Sequence, residues 1–208
     1  DSAAVKLSNV IQRYPTEFAL AAATVMIAQQ VAGKAARDAL FLSHFDVVEL
    51  PKVMIAAALI SLLGVLTMSH LLTRFGPGRA VPAAFCASAA LFAVERLLLS
   101  GLPGLTASVL YLHMTGFGAI VISGFWSLIN ERFDPHTAKP RIARIAAGAA
   151  LGGLLGGVLA RFVAEDLGFP SMLVLLCALN LVCALIIVAL GSAQRSAAHA
   201  HGGEVGSG

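Results

Sequence analysis

"KVMIAAALISLLGVLTMSHLLTRFGPGR", Lys52 to Arg79, decides what kind of protein this chain is. A bilayer core about 30 Å thick takes ~20 apolar residues of helix to cross. The apolar run to which this stretch belongs covers 47–73, more than enough, and is opened by Leu50-Pro51 and closed by "RFGPGR". Gly and Pro at both ends mark turns rather than continuation. The same pattern of long apolar run and short polar break recurs at 17–42, 80–100, 104–130, 142–165 and 169–191. The expectation is an all-α membrane protein, a six-transmembrane-helix bundle over 17–191, with a cytoplasmic segment at 1–16 and a Gly/Ser-rich cytoplasmic linker at 192–208. Composition agrees: 58% of the residues are hydrophobic and 12% charged, and the mean hydropathy is +0.86, far above what a soluble domain needs.

Lys and Arg near the span ends give an orientation. Lys6, Arg13, Arg74, Arg79, Arg132, Lys139, Arg141, Arg144 and Arg195 fall on one side, and Lys34, Arg37, Lys52, Arg96 and Arg161 on the other or within the membrane. Positively charged loops stay in the cytoplasm, so both ends are expected there, in a bacterial inner membrane. The net charge of +3 then reflects topology. No basic stripe with interleaved aromatics points to nucleic acid. The chain opens on Asp1 and ends in "SAQRSAAHAHGGEVGSG", with His199 and His201 in linker sequence; both ends read as cuts within a longer polypeptide, and no signal peptide opens it. Cys86, Cys177 and Cys183 lie in apolar runs without metal or disulfide spacing.

Polar residues inside the spans carry the functional content. Gln30, Lys34, Arg37 and Asp38 are spaced so as to share one face of the first helix. Ionisable groups at membrane depth usually line a bundle interior or a water-filled cavity. Such a cavity, net positive through Lys34 once Arg37 and Asp38 pair, suits a small anionic substrate. The alternative puts Arg37 and Asp38 at the outer interface with Lys34 snorkelling to headgroups. His113 in "LYLHMTGFG" is either a proton-linked or substrate-contacting group, with Tyr111 and Thr115 as neighbours, or a structural histidine. Glu95 and Arg96 read as an outward interfacial pair, and Glu165 and Asp166 as outer loop. In the fifth span Gly148, Gly152 and Gly156 form one glycine ridge and Gly153 and Gly157 a second, for close helix packing or for sliding. "GGLLGG" follows no strand and no G-x-x-x-x-G-K-[ST] occurs, so no ATPase is encoded. Nucleophile, base and orienting group nowhere recur at usable spacing; neither catalytic residues nor a cofactor or metal is expected.

Six spans, a short basic turn after the second and a longer basic loop after the fourth resemble the N-terminal half of a major facilitator superfamily transporter. The family's G-x-x-x-D-R-x-G-R-[RK] loop is echoed by "SHLLTRFGPGR", which keeps Arg74 and Gly76, has Thr73 in place of Asp and displaces the next arginine to Arg79. Two further motifs are similar to the ATP/ADP translocase (nucleotide transporter) branch. Arg37-Asp38-Ala39-Leu40 matches its K-D-A-L-like end of the first helix, and Phe125-Trp126 with Asn130 and Glu131 matches its F-W-x-x-x-N-E-like end of the fourth. The acidic residue that the branch has in mid-fourth helix has no counterpart in "HMTGFGAIVISGFW". The resemblance implies an antiporter-type secondary carrier of a nucleotide or other organic anion, with a second six-helix half in the same polypeptide. For such a carrier the polar residues of the spans give the expected substrate contacts, Gln30, Lys34, Arg37, Asp38 and His113. The cytoplasmic gate of such a carrier is expected to draw on Arg74, Arg79, Asn130, Glu131, Arg132, Asp134, Arg141 and Arg144; the alternative makes these ordinary positive-inside topology residues. The rival expectation is a transporter-derived membrane anchor or sensor that regulates an attached soluble domain.

Overall fold

A computed structural model describes residues 14–133 and 139–205. Six long helices make up nearly all of it: α1 Pro15–His44, α2 Leu50–Phe75, α3 Pro77–Leu98, α4 Pro103–Arg132, α5 Lys139–Phe162 and α6 Phe169–Val205. A 3₁₀ turn, Val47–Glu49, precedes α2 and a π turn, Val163–Leu167, follows α5. Among the described residues there is no strand. All six helices contain a stretch long and apolar enough to cross a bilayer, so the chain is an integral multi-pass membrane protein.

The helices overrun the apolar spans because hydropathy marks only the hydrocarbon layer, while a helix continues until a breaker stops it. Pro15, Pro51, Pro77 and Pro103 sit in the first two positions of α1 to α4, where a missing N–H costs nothing. α6 continues as helical backbone to Val205, through much of the segment expected as linker. Its run "SAQRSAAHAH" is rich in alanine, the strongest helix former.

The core lies in two clusters, one towards each end of the bundle. One joins Met26, Phe85, Phe125, Ile129, Ile145 and Ile187; the other joins Leu40, Phe92, Leu110, Met114, Leu173 and Leu176. The first collects early residues of α1, α3 and α5 with late residues of α4 and α6, which is what alternating up-and-down helices require. α1 and α4 are the most buried helices and pack against each other at the centre, while α2 is the least buried.

The second three helices repeat the plan of the first three. α1 and α4 both run 30 residues from a proline. Helices of 26 and 24 residues follow them. The turns into α3 and α6 then pass through Gly76 and Gly168, whose φ of +73° and +77° only glycine adopts without strain. The packing partners match as well: α1 lies on α5 and α6, α4 lies correspondingly on α2 and α3, and α3 meets α6. Even the grooves correspond. One of about 560 Å³ opens between α2, α3 and α4 beside Phe75 and Arg79. Its counterpart of about 520 Å³ opens between α1, α5 and α6 beside Arg161 and Phe169. Because three spans are an odd number, the second triplet crosses the membrane inverted relative to the first.

α1 and α5 approach backbone to backbone. A Cβ built on Gly152 would lie 2.2 Å from the Thr24 carbonyl oxygen, and one on Gly156 would lie 2.5 Å from that of Ala28. At Gly148 it would meet the Leu20 side chain at 2.7 Å. Absence of side chains here lets two backbones touch, the means by which helices gain dispersion energy when lipid is as apolar as they are. The Thr24 hydroxyl, 2.9 Å from the carbonyl oxygens of both Leu20 and Gly148, ties the crossing. One ridge, not two, makes this contact: a Cβ on Gly153 would find only Ile27 at 3.8 Å and one on Gly157 nothing within 4 Å.

Candidate functional site

Arg37 is the centre of the charged group on α1. Its Nε donates to Asp38 Oδ1 at 2.8 Å, and Nη2 lies 2.8 Å from the same oxygen. Nη1 donates to Thr115 Oγ1 of α4 at 3.0 Å. The guanidinium carbon sits 4.4 Å over the Tyr111 ring, a cation–π contact. Thr115 and Tyr111 are one helical turn apart, so α4 offers a hydroxyl and a ring face to the same cation. The Thr115 hydroxyl itself donates to the Tyr111 carbonyl at 2.8 Å, which fixes its lone pairs towards Arg37. With its side chain only 15% exposed, Arg37 lies between helices; Asp38 is half exposed. A guanidinium carries five N–H donors, so donors remain for a ligand after these partners are served.

Lys34, one turn before, is exposed and has no ion-pair partner among the described residues. With Arg37 and Asp38 paired, the group therefore keeps one net positive charge. Gln30, expected on the same face, is buried: its Nε2 donates to Gln29 Oε1 at 3.0 Å. Its Oε1 packs where a Cβ on Gly118 would come within 2.7 Å. Gln30 thus serves the α1–α4 contact, and the polar face divides into an inner and an open part.

His113 is not brought into this group. It is buried on the side of α4 that meets α3, with Nε2 2.9 Å from Ser88 Oγ and Nδ1 2.9 Å from Glu95 Oε1. Phe92 and Phe117 pack on its ring at 4.5 and 5.3 Å between centroids. This corrects the expectation for Glu95. Its side chain is 0% exposed and pairs inward with His113, so it forms no outward pair with Arg96. The physical reason is the partner: a carboxylate faces the interior when an imidazole there takes it up. Ser88 and Glu95 were not read as partners of His113 from the sequence. The available signal was their spacing with Phe92, which puts two polar groups on the buried face of the third span. Glu165 forms an i, i+4 pair with Arg161 at 3.0 Å, in the exposed turn after α5.

The residues expected at the gate are dispersed. Arg74, Arg79, Asn130, Glu131 and Arg141 are exposed, with Arg74 over the Phe75 ring at 5.3 Å. Arg132 donates to the Leu190 carbonyl of α6, and Arg144 approaches Glu17 at 3.5 Å. Asp134 lies outside the described residues. Among the described residues no ion pair joins two members of this set. No group of three or more His, Cys, Asp or Glu capable of holding a metal occurs among them either.

Compared with known proteins, the chain matches no family model, no curated protein and no solved structure. Function must be argued from the site itself.

Proposed function

We propose that this chain is the N-terminal half of a secondary transporter, carrying a nucleotide or another organic anion by alternating access. The observation that carries the proposal is Arg37: a cation held between α1 and α4 by Thr115 and Tyr111, only partly neutralised by Asp38, with Lys34 free one turn away. Ionisable side chains inside a membrane bundle are expensive, and a surplus positive charge beside an open face is suited to bind an anion's phosphate or carboxylate groups. Support comes from the matching helix triplets. Inverted three-helix repeats are a common plan of secondary carriers, in which substrate binds near mid-membrane where the repeats meet. α1 and α4, the first helices of the two triplets, are the helices that hold Arg37.

In this reading a second six-helix half of the same polypeptide closes the substrate path. Exposed apolar residues of α2 and α5, Leu59, Leu63 and Leu66 with Leu151 and Leu154, meet that half or lipid. Rocking of one half against the other exposes Arg37 to each side in turn. The turn bearing Arg74 and Arg79 then closes the cytoplasmic side.

The test is anion binding and uptake by the full-length protein in liposomes, with labelled ATP, ADP and inorganic phosphate as probes. A lost hydrogen bond to a charged group costs roughly 1.5–3 kcal/mol. Arg37→Ala should therefore weaken binding about 10- to 100-fold while the thermal transition stays close to the parent's. Arg37→Lys should recover part of it, since charge survives without the bidentate fork. An Arg37→Ala protein that binds and transports like the parent refutes the assignment.

A further inference from the structure

We propose that Ser88, Glu95 and His113 form a proton-binding site within the membrane, and that its occupancy sets anion affinity at Arg37. The second half of this statement rests on the anion-carrier reading above; the first does not.

Helix-to-helix ties need no ionisable groups, because an amide in place of Glu95 makes the same hydrogen bond to the ring. Here a carboxyl and an imidazole, 0% and 2% exposed, are held together at 2.9 Å. Every contact in the cluster is compatible with two protonation states. With a neutral ring, Nδ1–H donates to Glu95 Oε1 and the Ser88 hydroxyl donates to Nε2. With a further proton on Nε2, the same hydroxyl turns to accept it, since a serine oxygen is donor and acceptor alike. Glu95 Oε2 is buried with no hydrogen-bond partner among the described residues, and offers a second position for the incoming proton. Uptake takes one proton from water, breaks no heavy-atom bond and moves the cluster from a net charge of −1 to zero. Release returns the proton to water.

Nothing else nearby competes for that role. The charged groups of α1 in this region are Lys34, Arg37 and Asp38, of which Arg37 is engaged by Tyr111 and Thr115 of α4. α3 adds Arg96 and Cys86, and α4 adds only Tyr111 in this region. α2 has no ionisable residue between Lys52 and His70, and α6 contributes Cys177, Cys183 and the neutral Asn180. His113 lies two residues from both Tyr111 and Thr115 on α4, so the proton site and the cation site share one helix and face opposite ways across it. The charges lie on partners outside α4, Glu95 on one side and Arg37 on the other, so their separation exceeds the width of a helix and is on the order of 15 Å. At an effective dielectric near 20, one unit of charge at that distance changes an anion's affinity on the order of tenfold. The sign is fixed: an unprotonated cluster repels an anion held by Arg37 and a protonated one does not. Proton and anion therefore favour each other's binding, and reciprocally so.

The test uses the full-length protein in lipid nanodiscs. Infrared difference spectra across a pH titration should show the uptake as imidazolium ring bands, which Glu95→Gln should shift, or as a protonated-carboxyl band, which Glu95→Gln should remove. Ser88→Ala should shift the midpoint of that titration without removing it, since it deletes the partner that serves both states of Nε2. Thermal melts of both variants establish that they fold. In calorimetry with ATP and with inorganic phosphate, the parent should bind about tenfold more tightly below the midpoint than above it, and Glu95→Gln should bind equally at both. Difference bands of imidazole and carboxyl that do not titrate while the fold is intact, or that are unchanged in Glu95→Gln, overturn the proton site. ATP or phosphate affinity that is independent of pH in a parent whose bands titrate overturns the coupling. A titrating band with neither probe bound at any pH supports the proton site and counts against the anion-carrier reading instead.

Discussion

Replacing Gly152 by alanine tests the packing on which every other statement about α1 rests. The added methyl would meet the Thr24 carbonyl oxygen at 2.2 Å, the carbonyl carbon at 2.9 Å and the Cα at 3.0 Å. All three are backbone atoms, which a rotamer change does not move. Ordinary contact is restored only if α1 and α5 separate by roughly 1 Å, and a gap of that size forfeits about a quarter to a half of the dispersion attraction between facing atoms. It also stretches the Thr24 contact to the Gly148 carbonyl, now 2.9 Å. Overpacking of this kind costs about 1–3 kcal/mol, against which alanine's better helix propensity returns up to about 1 kcal/mol. A net loss of about 1–2 kcal/mol is expected. Gly157→Ala is the internal control: its methyl meets nothing within 4 Å, so only the propensity gain remains and the variant should match or slightly exceed the parent. Gly153→Ala should behave likewise, with Ile27 at 3.8 Å. Reversible unfolding in detergent micelles measures all three. Equal stabilities for Gly152→Ala and Gly157→Ala would falsify the close crossing of α1 and α5.

Two further outcomes follow from the topology and the charged group. In a background with Cys86, Cys177 and Cys183 replaced by alanine or serine, cysteines at His136 and Ser192 should react with a membrane-impermeant thiol reagent from the cytoplasmic side only, and one at Asp46 from outside only; labelling of position 136 from outside reverses the orientation. Asp38→Asn removes the counter-charge at 2.8 Å from Arg37, so ATP or phosphate binding should hold or tighten while liposome uptake slows. Binding weakened in that variant as much as in Arg37→Ala would mean that Asp38 orients the guanidinium instead of neutralising it.

Much of the fold was legible along the chain because its rules are local. A single apolar run can satisfy its own backbone hydrogen bonds in hydrocarbon only as a helix, so apolar runs of sufficient length locate the six spans. Proline and glycine ended the second span near the place read from "RFGPGR". The inward packing of Gly148, Gly152 and Gly156 was likewise visible as spacing. Spacing alone also suggested a second ridge at Gly153 and Gly157, and there it failed: both ridges have the same period, and only the position of α1 selects one.

The site divides in the same way. Sequence by itself determined that Lys34, Arg37 and Asp38 share a face of one helix, because 3.6 residues per turn is a property of the helix alone. It did not determine what that face meets. That Arg37 reaches Thr115 and Tyr111, that Gln30 is sealed against Gly118, and that Glu95 turns inward to His113 all depend on pairs brought together from different helices. A charged residue one turn from a helix end has the same sequence signature whether it faces headgroups or an imidazole. The deciding energy is the cost of leaving it unpaired where the tertiary structure puts it. The repeated plan of the two triplets was hidden for a related reason. Lipid-facing and packing positions are filled by interchangeable apolar residues, so equivalence survives in helix length, in the glycines at the two matching turns and in which helices touch, and not in the identity of the residues.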